Sequence, residues 1–121
     1  SDRRTGYFAE FLTSHHATTD IMLHTVNKSP FESSSLKTCL SLVRSGTDVL
    51  LIEDGVYGAL AGSTHSPLVT EALEAVRVYA LEPDLKARGL SGDRLIPGIE
   101  VVGYDGFVDL ACTNDKIQNW L

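Results

Sequence analysis

Apolar residues along the chain gather into short runs separated by polar stretches that carry glycine or proline. Ile21-Met22-Leu23-His24-Thr25-Val26 gives way to Asn27-Lys28-Ser29-Pro30, the pattern of a buried strand feeding a polar loop. Beyond Pro30, Ser33, Ser34 and Ser35 offer helix caps. Leu36, Cys39, Leu40 and Val43 then fall at i, i+3, i+4 and i+7, predicting a first helix that ends at Gly46. Asp48-Val49-Leu50-Leu51-Ile52 is a continuous apolar run of strand length, as in a parallel strand covered on both faces, and it stops at Glu53-Asp54-Gly55. Val56 to Ala61 reads as helical up to Gly62. Ser66-Pro67 then opens a second helix running to about Ala75, with serine as cap and proline at its first position.

The remainder continues the alternation. Val76 to Leu81 predicts a third strand, Asp84 caps a short helix from Leu85 to Arg88 that Gly89 ends, and Ile99 to Val102 predicts a fourth strand. Asp105 caps a helix through Cys112, and Asn114 starts a terminal helix with Ile117, Trp120 and Leu121 on one face. Strands that alternate with helices predict a small three-layer α/β domain around a mainly parallel sheet of four to five strands. The loops after the strand C-termini are then the functional edge: His24 to Pro30, Glu53 to Gly58, Glu82 to Asp84 and Gly103 to Gly106.

Residues 1–20 break this pattern. Their only apolar patch is Tyr7, Phe8, Phe11 and Leu12, so they read as a leader or an appended extension, and the domain is taken as residues 21–121. The spacing of Phe8, Phe11 and Leu12 allows a short helix that docks on the domain or on a neighbouring chain. Arg3-Arg4 ahead of Tyr7-Phe8 has the outline of a twin-arginine export signal, but Glu10 interrupts the patch and no hydrophobic region follows.

Charge and cysteine usage narrow the function classes. Ten Lys+Arg against 16 Asp+Glu leave a net charge of -6 with no long basic run, which argues against direct binding to a nucleic-acid backbone. No run reaches the roughly 18 apolar residues of a membrane span. Cys39 and Cys112 stand far apart, outside any CxxC or Cys/His cluster, which fits a reducing cytoplasm rather than a disulfide framework or a zinc site.

Several chemistries can be tested on the residues. Asp54-Gly55-Val56-Tyr57-Gly58-Ala59-Leu60-Ala61-Gly62 lies between a strand and a helix, but its glycines at 55, 58 and 62 fit neither the P-loop nor G-x-G-x-x-G, so it reads as a tight turn with close helix packing. Glu53 and Asp54 lack further ligands for a cation and read as a solvated cap. His24 sits near the functional edge, able to act on a proton, yet is more simply a structural histidine bonded at the strand–loop junction. Ser29 and the serines from Ser33 to Ser35 lack a nucleophile elbow and read as loop and cap residues. Cys39 is either a small buried hydrophobe or, with Lys37, Arg44 and the helix N-terminus nearby, a reactive thiol. Cys112 is the weaker candidate. Val56, Tyr57, Leu60 and Phe107 are candidates for a protein-facing surface or for core.

Three strings in order carry a resemblance: Met22-Leu23-His24-Thr25-Val26-Asn27-Lys28-Ser29-Pro30-Phe31, Val49-Leu50-Leu51-Ile52-Glu53-Asp54-Gly55-Val56-Tyr57, and Val78-Tyr79-Ala80-Leu81 followed by Asp84-Leu85-Lys86-Ala87-Arg88-Gly89-Leu90. With Tyr104, Phe107-Val108, Leu110 and the closing Trp120, they make residues 22–121 resemble the DsrH/TusB family of sulfur-relay subunits. The resemblance implies a DsrE/F/H-like fold and a cytoplasmic heterohexamer with DsrE-type and DsrF-type subunits. It also implies transfer of persulfide sulfur to a DsrC-type carrier in sulfur oxidation, or to a TusE-type carrier in tRNA 2-thiouridine formation. Dsr-branch members carry a cysteine in the first helix, matched here by Cys39, and many tRNA-branch members lack it. The expectation is therefore a sulfur-oxidation relay subunit with Cys39 as persulfide carrier, needing no metal or organic cofactor. The alternatives are a non-catalytic docking subunit and the tRNA thiolation relay.

Overall fold

Five parallel strands form one sheet in the order β4-β3-β2-β1-β5 in the computed structural model, which describes residues 22–121. The strands are β1 Met22–Val26, β2 Asp48–Leu51, β3 Arg77–Leu81, β4 Glu100–Val102 and β5 Lys116–Trp120. The helices are α1 Ser35–Leu42, α2 Ser66–Ala72, α3 Glu82–Ala87 and α4 Tyr104–Thr113, with a 3-10 segment over Glu53–Ala59. The expectations for the leader and its Phe8, Phe11 and Leu12 stripe lie outside the described residues.

The central strands are mostly apolar because both of their faces are covered. Val49 and Leu51 of β2 point into the larger core with Val26, Leu36, Cys39, Val56 and Val69, beneath α1, α2, α3 and the 3-10 segment. Leu50 points the other way and joins Leu23 and Leu110 in a smaller core covered by α4, with Tyr79, Val102 and Phe107 packed around it. Leu23, Leu50 and Leu51 are fully buried, each contributing roughly 2 kcal/mol. The two layers over the sheet are thus unequal: three helices and a 3-10 segment lie on one side, one helix on the other.

The one element misassigned from sequence is the last. Lys116–Trp120 is a strand, not a helix, and it pairs in parallel with β1, with Met22 opposite Lys116 and Val26 opposite Trp120. Ile117 and Trp120 fit a helical stripe, but the ladder with β1 satisfies the backbone groups of both strands at once, and five residues make a poor free-standing helix. Ile117 shares the α4 side with Leu23, while Trp120 packs against the larger core.

Smaller differences concern helix ends. α1 stops at Leu42, and Gly46 (φ 84°) turns the chain beyond it. The segment after β2 starts at Glu53 and winds as 3-10, and α2 ends at Ala72. α3 starts at Glu82, with Pro83 in its first turn, and Gly103 rather than Asp105 is the cap of α4. Gly55 marks a close approach: a Cβ there would meet the Val26 carbonyl oxygen at 2.0 Å. The sequence reading of a tight turn with close packing therefore holds at Gly55.

Candidate functional site

The chain leaves β1 in two directions, to β2 on one side and, after the whole sheet is built, back to β5 on the other. Such a reversal of strand order opens the crevice in which α/β sheets bind ligands, outside the strand C-termini. Here that position is bordered by the chain's own last residues, Trp120 half-buried and Leu121 exposed. Trp120, opposite Val26 at the end of β5, donates from Nε1 to His24 Nδ1 at 3.0 Å, with the two rings 6.1 Å apart and tilted by 35°. The Leu121 carbonyl accepts a hydrogen bond from Ser35 Oγ at 3.0 Å, tying the last residue to the start of α1.

His24 is therefore a structural histidine at the strand–loop junction. It is buried, burial holds its pKa below the usual 6.5, and acceptance at Nδ1 places its proton on Nε2. The serines serve the backbone. Ser29 Oγ accepts from the Phe31 amide at 3.1 Å, Ser33 Oγ accepts from the Ser35 amide at 3.1 Å, and the Ser33 and Ser35 hydroxyls lie 2.9 Å apart. Cap bonding at α1 thus comes from Ser33, while Ser34 at the cap position makes no such bond.

The loops after β2 and β3 meet in a charged clasp. Asp84 Oδ2 accepts the Glu53 amide at 2.7 Å, which holds Glu53 in the left-handed region at φ 51°. Arg88 reaches back from the end of α3, donating from Nε to Asp54 Oδ1 at 3.0 Å and from Nη1 to the Asp84 carbonyl at 3.0 Å. Asp54 is engaged by an arginine instead of standing as a free cation ligand. Nothing in the sequence reading anticipated this clasp, although Asp84 and Arg88 at i, i+4 on one short helix were its visible signal.

The two cysteines fall in opposite environments. Cys39 has no exposed surface and lies in the larger core with Leu36, Val49 and Leu51. Burial alone pushes its thiol up to about 12, while Lys37 sits on the outer side of α1. A thiolate attacking a persulfide needs access and a favourable charge, and this environment supplies neither. Cys112 lies exposed on α4. Of the four residues weighed as a protein-facing surface or as core, Val56 is fully buried, while Tyr57 and Leu60 are half-buried against the larger cluster and Phe107 against the smaller. A groove of about 580 Å³ beside β4, between Leu85, Lys86, Leu90 and Val101, contains neither cysteine nor histidine. No helix among the described residues is long and apolar enough to cross a membrane.

Comparison with known proteins adds a lineage to this geometry. A family model described as DsrH like protein matches residues 28–117. Protein TusB of Erwinia tasmaniensis is 42% identical over 99 residues, covering 82% of this chain and 100% of that protein. Protein TusB of Serratia proteamaculans is 40% identical over the same coverage. Among solved structures, the ychN protein from E. coli has the same fold with a TM-score of 0.69 at 22% identity, covering 81% of this chain and 97% of that one. Protein MTH1491 from Methanobacterium thermoautotrophicum follows with a TM-score of 0.62 at 22% identity, covering 80% and 96%.

Proposed function

The chain belongs to the DsrH-like family, and from that premise we propose that it is a non-catalytic docking subunit of a cytoplasmic sulfur-relay complex serving 2-thiouridine formation in tRNA. Its partners in this reading are the DsrE-type and DsrF-type subunits, or their Tus counterparts, in a heterohexamer. The acceptor is a TusE-type carrier. The observation that carries the proposal is the position of Cys39: a fully buried thiol held at about 12 is suited to packing, and sulfur is left to a thiol on another subunit. The β1/β5 reversal supports the same reading, because the side chains there bond to one another: Trp120 donates to His24, and Ser35 donates to the Leu121 carbonyl.

The tRNA branch is preferred over sulfur oxidation because relatives at 42% and 40% identity are TusB proteins. The matching cysteine in α1, which favoured the Dsr branch, is accounted for by core packing. With an acidic chain and no basic run, contact with tRNA falls to other members of the relay.

The test is complementation. In a bacterial strain lacking its own TusB, the wild-type chain restores 2-thiouridine, measured by mass spectrometry of tRNA nucleosides, and Cys39→Ala restores it equally. Failure of the wild-type chain while its sister subunits from the same source are supplied overturns the tRNA assignment. Loss of 2-thiouridine with a folded, assembled Cys39→Ala chain restores Cys39 as the persulfide carrier.

A further inference from the structure

Helix α4 carries two apolar stripes where a surface helix needs one. The inner stripe, Phe107 and Leu110, packs on Leu23, Leu50 and Val102, and Gly106 lies so close to the sheet that a Cβ would meet Val102 Cβ at 2.7 Å. Facing outward, Tyr104 is 62% exposed and Val108 58% exposed, and the exposed Cys112 completes the i, i+4, i+8 series. Ile117, on the same side of the sheet, is 47% exposed. A tyrosine and two β-branched residues left bare on one side is a costly arrangement for a chain that stays alone.

Charge identifies what covers them. Asp105 and Asp109, again at i, i+4, flank the outer stripe and are exposed, and their carboxylates make no ion pair or side-chain hydrogen bond with another described residue. Residues 100–121 hold Glu100, Asp105, Asp109 and Asp115 against the single cation Lys116. A second copy of this chain is a poor occupant, because a two-fold contact through α4 would set each aspartate pair against its own image.

We propose that the outer stripe of α4 is the docking face for a different subunit of the relay complex, one that presents an apolar hollow rimmed by lysine or arginine. The proposal rests on the relay-subunit reading above and adds the surface through which it operates. Tyr104 and Val108 fill the hollow, Asp105 and Asp109 pair with its basic rim and set the register, and Cys112 lies beneath the contact.

Cys112 makes the test possible without mutation, because the buried Cys39 stays silent. The chain is treated with iodoacetamide free and in complex with co-expressed DsrE-type and DsrF-type subunits, and adducts are counted by intact mass. Alkylation of Cys112 slows at least tenfold in the complex. Val108→Asp, at an exposed position, leaves the free chain's melting transition unchanged but loses the complex in native mass spectrometry, and Asp105→Lys with Asp109→Lys weakens assembly most at low salt. A complex that forms with Cys112 alkylated at the free rate, or that incorporates Val108→Asp normally, overturns the α4 face and leaves the relay reading standing. Protection of Cys112 in the free chain through self-association overturns the choice of partner. Absence of any complex with the sister subunits overturns the relay reading and this face with it.

Discussion

Thiol chemistry separates the two readings of Cys39 most sharply. Its thiol is moved from an ordinary 9.0 to about 12 by burial. At pH 8 that lowers the thiolate fraction from about one in ten to about one in ten thousand, roughly a thousandfold. Access multiplies the effect, since no part of Cys39 reaches solvent and a reagent must wait for the core between α1 and the sheet to open. For a domain of ordinary stability, about 5 kcal/mol or more, that open population is roughly one in several thousand or smaller. Native protein treated with iodoacetamide at pH 8 should therefore gain one adduct quickly, mapped to Cys112. The second should follow only as urea populates the unfolded chain. Substitution must respect the same burial: Cys39→Ala removes one sulfur from the core for about 1 kcal/mol, whereas Cys39→Ser buries a hydroxyl and costs about 1–3 kcal/mol more. A loss of sulfur relay in Cys39→Ser alone would thus report on folding, and alanine is the informative change. Native alkylation of Cys39 within tenfold of the Cys112 rate, or a persulfide on Cys39 after donor treatment of the folded complex, would refute the reasoning.

Gly55→Ala should destabilise by about 3 kcal/mol or more in urea melts, because the new Cβ meets the backbone carbonyl of Val26, which already accepts the Ile52 amide at 3.0 Å; a loss under 1 kcal/mol would mean that the turn yields easily. Burial holds His24 below 6.5 in the folded chain, so the unfolded chain takes up that proton first. Its contribution is fully present above pH 6.5 and is lost as pH falls through the folded value, and His24→Gln should flatten this part of the pH dependence of the urea midpoint. Asn114→Ala should cost about 1–3 kcal/mol, since Asn114 Nδ2 serves both the buried Asp48 carboxylate at 3.1 Å and the Leu110 carbonyl at 2.8 Å; a neutral result in thermal melts would show that Arg77, 2.7 Å from Asp48, suffices alone.

Much of the fold was legible because the strands are buried on both faces. Val49-Leu50-Leu51 has no polar alternation to mislead, and its neighbours send alternate residues to two different cores. The polar edge strand escaped for the same physical reason turned round. Lys116, Gln118 and Asn119 remain exposed in β5, so there was no apolar run to mark it, and Ile117 with Trp120 fits a helical spacing as well as anything. What makes Lys116–Trp120 a strand is its ladder with β1, together with the Trp120–His24 bond between residues 96 positions apart. Both are tertiary facts with no local trace.

The site was less legible than the fold, and the cysteines show why. Periodicity locates a stripe on a helix but does not say how many of its stripes meet the sheet. Cys39 belongs to the only apolar stripe of α1, with Leu36 and Leu40, so burial was the consistent outcome and the nearby Lys37 was bound to face away. Cys112 shares α4 with enough apolar residues for two stripes, and its place on the outer one is decided by Gly106, whose missing Cβ lets the helix settle on Val102 with Phe107 and Leu110 inward. The thiol that the resemblance marked as a carrier is thus core, as its helical stripe also allowed, and the weaker candidate lies on a surface that the described residues leave exposed. In the proposed docking role, this arrangement puts what the chain offers a partner on the outside of α4, in shape and charge, before it lies in sulfur.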